Sequence, residues 1–213
     1  MIQAIIFDFD GTILESERPD YEAWNEVFQA HNATLPFALW QQQIGTVSHD
    51  FDPYQYLEEQ IGRSIDRQTL RQERRQRFLA LMAQETIKPG VLALIEEAQQ
   101  ANIRLGVASS GTRDWVEGNL DKFNLRRHFQ VVRTAADVQR VKPDPELYLN
   151  ALAVLGVEPA HALAIEDSRN GMLAAKHAGI RCLVVPNEMT RELDFSEADW
   201  VRHSLEGFRI SQL

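Results

Sequence analysis

The stretch Ala4-Ile5-Ile6-Phe7-Asp8-Phe9-Asp10-Gly11-Thr12 decides the fold. Four consecutive apolar residues end abruptly in two aspartates and a glycine. A continuous apolar run, without alternation, suits a β-strand covered on both faces, and such strands belong to parallel sheets flanked by helices. Three further runs share the pattern: Ile103-Arg104-Leu105-Gly106-Val107-Ala108, Ala162-Leu163-Ala164-Ile165 and Cys182-Leu183-Val184-Val185. A fifth, Phe129-Gln130-Val131-Val132, is weaker. Between them the apolar residues recur at helical spacing. Val91, Leu92, Leu94, Ile95 and Ala98 are expected to share a helix face, and so are Leu147, Leu149, Ala151, Leu152 and Leu155. The stretch Leu173, Ala174, Ala175 and Ala178 closes at Gly179, a fitting residue for a helix C-terminus. Alternating strands and helices predict an α/β fold with a doubly wound parallel sheet.

The segment from about Glu15 to Ile87 breaks that rhythm. It offers helical patterns around 21–31, 54–61 and 66–84 and no convincing strand. The expected organisation is an α/β core of residues 1–14 and 88–213, with an all-helical domain of residues 15–87 inserted between its first strand and the rest. Trp24, Phe28 and Trp40 read as core anchors of the insert. Its basic run (Arg71, Arg74, Arg75, Arg77) lies opposite Leu70, Phe78, Leu81 and Met82 and reads as a solvated helix face rather than a nucleic-acid patch.

Composition narrows the class of partner. The chain has 213 residues, with 22 basic and 31 acidic side chains and a net charge of −9. That balance disfavours nucleic-acid and anionic-membrane surfaces, so any anionic ligand must be held by local groups. The single cysteine, Cys182, excludes an intrachain disulfide and suits a reducing compartment. No apolar run approaches a membrane span, and the reading is a cytoplasmic globular protein. The oligomeric state stays open, a monomer being compatible with everything above.

In a doubly wound sheet ligands sit beyond the carboxyl ends of the strands. Asp8 and Asp10 follow the first strand, Ser109, Ser110 and Gly111 the second, and Glu166 and Asp167 another. Lys142, in Val141-Lys142-Pro143-Asp144-Pro145, follows the weak fifth strand. Taken singly, each has a bland reading: Asp-Gly is a common turn, and Ser109-Ser110-Gly111 or Asp167-Ser168 can simply cap a helix. Gathered at one rim, four carboxylates repel one another. Two charges about 4 Å apart interact by roughly 4 kcal/mol at an effective dielectric near 20. A hard divalent cation resolves the conflict, and all-oxygen ligands point to Mg²⁺. Lys142 adds a positive charge that suits an anionic substrate.

These residues resemble the four motifs of the haloacid dehalogenase-like superfamily, with most likeness to its β-phosphoglucomutase and phosphoglycolate-phosphatase group. Asp8-Phe9-Asp10-Gly11-Thr12 resembles the first motif, Ser109 in Val107-Ala108-Ser109-Ser110-Gly111 the second, Lys142 the third, and Glu166-Asp167 with Ser168 and Gly171 the fourth. The resemblance spans the chain, the helical insert standing where one subclass carries its cap. It implies a Rossmann-like core and phosphoryl transfer. Asp8 would be the nucleophile, forming an aspartyl-phosphate, and Asp10 the general acid and base. Mg²⁺ would be held by the Asp8 carboxylate, the Asp10 carbonyl and Asp167, with Glu166 acting through water; Ser109 and Lys142 would grip the phosphoryl group. Halide departure needs no proton, so Asp10 favours phosphoryl transfer over dehalogenation.

In similar proteins cap loops choose the substrate. Gly45-Thr46-Val47-Ser48-His49 resembles such a loop, and Gly45, Thr46 and His49 are candidate substrate contacts, with Gly11, Ser110, Gly111 and Arg113 on the core side. Asp20 stands where the mutase has a cap histidine, and His49 where it has an arginine for a second phosphate. Both departures favour hydrolysis. The expectation is a phosphatase of a small phosphorylated metabolite, such as a sugar phosphate, with a phosphosugar mutase as the alternative. A phospho-ligand-binding protein without turnover is a third reading, and the retained Asp10 argues against it.

Overall fold

The computed structural model describes residues 1–46 and 51–212. A six-stranded sheet is built from β1 (Ala4–Phe7), β2 (Arg104–Ala108), β3 (Val131–Arg133), β4 (Ala162–Glu166), β5 (Arg181–Val184) and β6 (Trp200–Val201). Its order is β3-β2-β1-β4-β5-β6, and every neighbouring pair is parallel. The four apolar runs are the four central strands. The fifth is displaced toward its C-terminal end, and β6 is a two-residue edge strand that no apolar pattern marks.

Period-two alternation sorts the strand residues between two cores. Ile5, Phe7, Leu105, Val107, Leu163 and Ile165 face α5 (Val91–Gln100) and α6 (Arg113–Lys122). Ala4, Ile6, Ala162, Ala164, Cys182 and Val184 face α7 (Glu146–Leu155) and α8 (Arg169–His177). The second face carries small residues, which lets its helices approach closely: a Cβ at Gly106 would lie 3.4 Å from Leu155 Cδ1 of α7. A fully buried Leu, Ile or Phe on either face contributes about 1.5–3 kcal/mol relative to exposure. Leu92 and Leu149 correct the expected helix faces, for both are exposed. Each follows a buried neighbour by one position, a rotation of about 100° that carries it out of the stripe.

Between β1 and α5 the described residues form α1 (Glu17–Ala30), α2 (Phe37–Gln41), α3 (Pro53–Ile61) and α4 (Arg67–Met82). They share an apolar cluster of their own that includes Trp24, Phe28, Trp40, Leu57 and Leu70, which Met189 joins from the core. Asp52 caps α3, whose first residue is Pro53, and Asp66 caps α4 by accepting from Gln68 and Thr69 N–H. The basic run of α4 is engaged within the chain: Arg77 makes a forked pair with Glu26, and Arg74 bonds Asp20. The two chain crossings between this segment and the core are held side by side. Leu14 bridges Ile87, and Lys88 N–H donates to the Ile13 carbonyl at 3.0 Å. No helix among the described residues is long and apolar enough to cross a membrane.

The strand order places the site. From β1 the chain returns on the β2 side, and from β4 it returns on the β5 side, so the connections diverge between the carboxyl ends of β1 and β4. A crevice opens at that switch point.

Candidate active site

Asp8 extends β1 by one residue, its N–H donating to the Ile165 carbonyl at 2.9 Å. The sheet thus ends with Asp8 directly beside Glu166 and Asp167 at the end of β4. Lys142 joins them from the loop before α7, its Nζ donating to Asp8 Oδ1 at 2.5 Å and to Glu166 Oε1 at 2.7 Å. The Tyr148 hydroxyl donates to the same Glu166 oxygen at 2.6 Å. Asp8, Lys142, Glu166, Asp167 and Tyr148 are all buried. Burial raises the Asp8 carboxyl to about 8 against the pull of Lys142, with Glu166 and Asp10 adding to the rise. Lys142, which burial alone would lower, is raised by Asp8 and Glu166. Asp167 is pushed well above the usual carboxylate range by burial and by Asp8 and Glu166, with Lys88 opposing.

Asp8, Glu166 and Asp167 each offer an oxygen within 4.8 Å of the others. Three buried carboxylates with one ammonium among them leave excess negative charge. A hard divalent cation fits both that charge and the all-oxygen donor set. Asp167 is aimed by neighbours: Asn187 Nδ2 donates to its Oδ2 at 2.7 Å and Thr12 Oγ1 to its Oδ1 at 3.4 Å. Gly11, at φ +75°, passes so close that a Cβ there would lie 2.1 Å from Asp167 Oδ2.

The Asp10 side chain turns the other way. Its Oδ1 accepts from Ser16 Oγ at 2.6 Å and from Trp115 Nε1 at 2.8 Å, and its Oδ2 from Ser109 Oγ at 3.4 Å. Burial raises its pKa, and these donors work against the rise. Ser109 also accepts from Gly111 N–H at 2.9 Å. Ser110 Oγ donates to the Gly45 carbonyl at 3.0 Å, and Asn170 Nδ2 to the Ile44 carbonyl at 2.9 Å, fastening the loop after α2 over the core.

A cavity of about 280 Å³ lies between these groups and the helical segment. Asp8, Asp10, Gly45, Thr46, Ser109, Ser110 and Gly111 line it. Glu17, Asp20, Trp40 and Phe51 complete its helical side. Burial and the nearby Asp167, Asp10, Asp20 and Asp8 carboxylates push Glu17 well above its ordinary pKa. Gly11 instead lines a neighbouring cavity with Thr12 and Asn187. Arg113 lines neither: its guanidinium is turned onto Asp137 at 2.6 Å and Glu117 at 3.4 Å, so it is a paired surface residue where a substrate contact was expected. His49 lies outside the described residues.

Several site residues carry no local sequence signal. Trp115 packs on Phe78 and also donates to Asp10. Ser16, Tyr148 and Asn187 reach the carboxylates through pairings between residues far apart or unmarked by any motif. Only the topology brings them together.

A family model described as haloacid dehalogenase-like hydrolase matches residues 5–185. YhcW of Bacillus subtilis (strain 168), a protein assigned provisionally to the phosphatases, is 46% identical over 213 residues, spanning 100% of this chain and 95% of that one. The validoxylamine A 7'-phosphate phosphatase of Streptomyces hygroscopicus subsp. limoneus is 33% identical over 183 residues, 86% of this chain and 85% of that one. The crystal structure of CbbY from Rhodobacter sphaeroides in complex with phosphate superposes with a TM-score of 0.79 at 36% identity, covering 96% of this chain and 95% of that one. With its motifs at the strand ends and the family model spanning most of its length, the chain belongs to the haloacid dehalogenase-like hydrolases.

Proposed function

We propose that the protein is a Mg²⁺-dependent phosphatase of a small phosphorylated metabolite, working through an aspartyl-phosphate on Asp8. One observation carries this reading: Asp8 and Asp10 border the same cavity, yet Asp8 contacts a buried ammonium while Asp10 contacts only neutral donors. Asp8 attacks phosphorus and the bond to the leaving oxygen breaks, Asp10 supplying that oxygen's proton. Asp10, now a carboxylate, takes a proton from the water that releases phosphate from Asp8. Ser109 and backbone N–H groups near Phe9 and Ser110 hold phosphoryl oxygens, and Lys142 offsets charge on Asp8 and the phosphate. Asp8, Asp167 and the Asp10 carbonyl would hold Mg²⁺, with Glu166 acting through water, and the bound ion would supply charge neutralisation at the phosphoryl group.

Residues 15–87 act as the cap that closes this cavity. A sugar phosphate suits its described walls: Trp40 and Phe51 offer apolar faces, and Glu17 and Asp20 offer acceptors for hydroxyl groups. The relatives lend support, since a structure of a CbbY variant is a complex with xylulose-(1,5)bisphosphate. The lone buried cysteine suits a cytoplasmic setting. The test is phosphate release from a panel of phosphorylated metabolites with Mg²⁺, with chelator, and with Asp8→Asn. Activity is expected in the first condition alone; metal-independent turnover or an active Asp8→Asn protein overturns the mechanism.

A further inference from the structure

The loop after β5 touches the core carboxylates and the helical segment at once. Its Asn187 is buried, and the side-chain amide is fixed at both ends. Nδ2 donates to Asp167 Oδ2 at 2.7 Å, while Oδ1 accepts from Met189 N–H at 2.8 Å and from Thr190 Oγ1 at 3.3 Å. Two donors on the oxygen leave the nitrogen as the end that faces Asp167. The amide is planar, so the position of the Met189 backbone sets the direction of the bond to Asp167. Asn187 is also the closer side-chain donor to that carboxylate, Thr12 Oγ1 standing at 3.4 Å.

Met189 belongs to the helical segment as much as to the core. It is 3% exposed and lies in the apolar cluster with Trp24, Trp40 and Ile44. Its carbonyl accepts from Gln41 Nε2 at 2.8 Å, and Gln41 is the last residue of α2. Neither Gln41 nor Met189 lines the substrate cavity. We propose that Asn187 and Met189 are positioning residues that couple the seating of the cap to cation binding at Asp167, a proposal that rests on reading residues 15–87 as a cap and Asp167 as a cation ligand. With α2 seated, Gln41 and the apolar cluster hold Met189, Met189 holds the Asn187 amide, and the amide aims Asp167. When α2 lifts, Met189 loses its apolar surroundings and its donor together, and the aim loosens. The linkage is reciprocal: a bound cation that orders Asp167 favours the seated cap.

Mn²⁺ binding to the intact protein without substrate, followed by electron paramagnetic resonance, is the test. Asn187→Leu should weaken binding roughly ten-fold or more, the loss expected when the group that orients a ligand is removed. Met189→Ala should weaken it roughly five-fold, although Met189 bonds no carboxylate. Met189→Leu keeps an apolar side chain of similar volume and should bind as the wild type does. Gln41→Leu removes the hydrogen bond from α2 with little loss of apolar packing, and should weaken binding in the same direction even if Met189→Ala fails to fold. In the Asn187→Leu background Met189→Ala should have no further effect, since the route passes through the amide. Hydrogen exchange supplies the reciprocal readout: saturating Mn²⁺ should slow exchange of the α2 amides in the wild type and much less in Asn187→Leu. Equal Mn²⁺ affinity in the wild type, Met189→Ala and Gln41→Leu overturns the coupling while the metal reading stands. Equal losses from Met189→Ala in both backgrounds overturn the route through Asn187. A wild-type protein that binds no Mn²⁺ overturns the metal reading itself, and the coupling with it.

Discussion

Asp8 and Asp10 stand two residues apart on one strand end, yet they occupy opposite kinds of surroundings. The Asp8 side is a charged nest drawn from the sheet: Lys142 bonds Asp8 and Glu166 together, Tyr148 closes the far side of Glu166, and all four are buried. The Asp10 side is neutral and comes from the chain leaving the sheet, with Ser16 just before α1, Trp115 on α6 and Ser109 after β2. The difference teaches how one short segment sustains two roles. In the metal-free protein burial raises Asp8 to about 8, and the ammonium of Lys142 pulls it back toward the ionised form that a nucleophile needs. Asp10, raised by burial and with no cation in contact, has its proton affinity set by neutral donors, as suits an acid and base.

With the nucleophile left in place, the largest rate effect should come from breaking the neutral side. Asp10→Asn keeps the size of the side chain and removes its proton chemistry. Turnover of an alkyl phosphate, whose leaving oxygen requires a proton, should fall by roughly 10²–10⁴-fold. An aryl phosphate with an acidic leaving group should lose much less, because only the later water step still needs Asp10. Steady-state rates on the two substrates measure the contrast, and equal losses would erase the division of roles. Breaking the charged side should cost both rate and stability. Lys142→Met leaves Asp8 and Glu166 buried without their shared cation, a change expected to destabilise by roughly 3–5 kcal/mol. Turnover should fall by roughly 10²–10³-fold with the loss of one stabilising donor. Urea unfolding in chelator reads the first effect, and an unchanged midpoint would mean that the nest does not depend on its ammonium.

The two sides should also part company in their response to pH. In the metal-free protein Asp8 is raised to about 8, and Asp167 is raised well above its usual range. A carboxyl whose pKa is raised by folding favours the folded state while protonated. That contribution is complete below the ordinary carboxylate pKa near 4 and is lost as pH rises through the folded value. Thermal unfolding in chelator should therefore show stability falling between about pH 4 and pH 8. Added Mg²⁺ should restore most at the upper end, where the carboxylates are ionised. A metal-free protein whose stability is flat across this window would contradict the charged nest.

This same contrast marks what the sequence makes legible. The Asp8 side lies at strand ends, and strand ends are visible as apolar runs that stop in polar residues: Phe7 into Asp8 and Ile165 into Glu166, with Ala108 into Ser109 giving the Asp10 side its one such signal. Lys142 stands in a loop, but its charge beside two prolines singles it out. The Asp10 side depends on contacts across long separations, and Trp115 lies 105 residues from its acceptor. An indole on a helix looks like packing, which it also provides. β6 escaped notice because two residues at a sheet edge carry no periodicity. Arg113 was misplaced for a related reason. Its position just inside a helix near Ser109 is readable, but the direction of its side chain depends on Asp137, a partner 24 residues away.

Trp115→Phe offers the finest probe of the comparison, because it changes one hydrogen bond and keeps an aromatic ring against Phe78. The lost bond should cost about 1 kcal/mol of stability. Its effect on chemistry has a sign. The indole N–H favours the ionised form of Asp10, so removing it raises the Asp10 pKa further. On an aryl phosphate the leaving group needs no acid, and the water step, which requires Asp10 as a carboxylate, sets the rate. The acid limb of the pH–rate profile on that substrate should therefore move to higher pH in Trp115→Phe, while the rate on its plateau changes little. Ser16→Ala, which removes the other donor to the same oxygen, should move the limb in the same direction. A uniform loss of rate at every pH would instead make Trp115 a packing residue, and the neutral side would then rest on Ser16 and Ser109 alone.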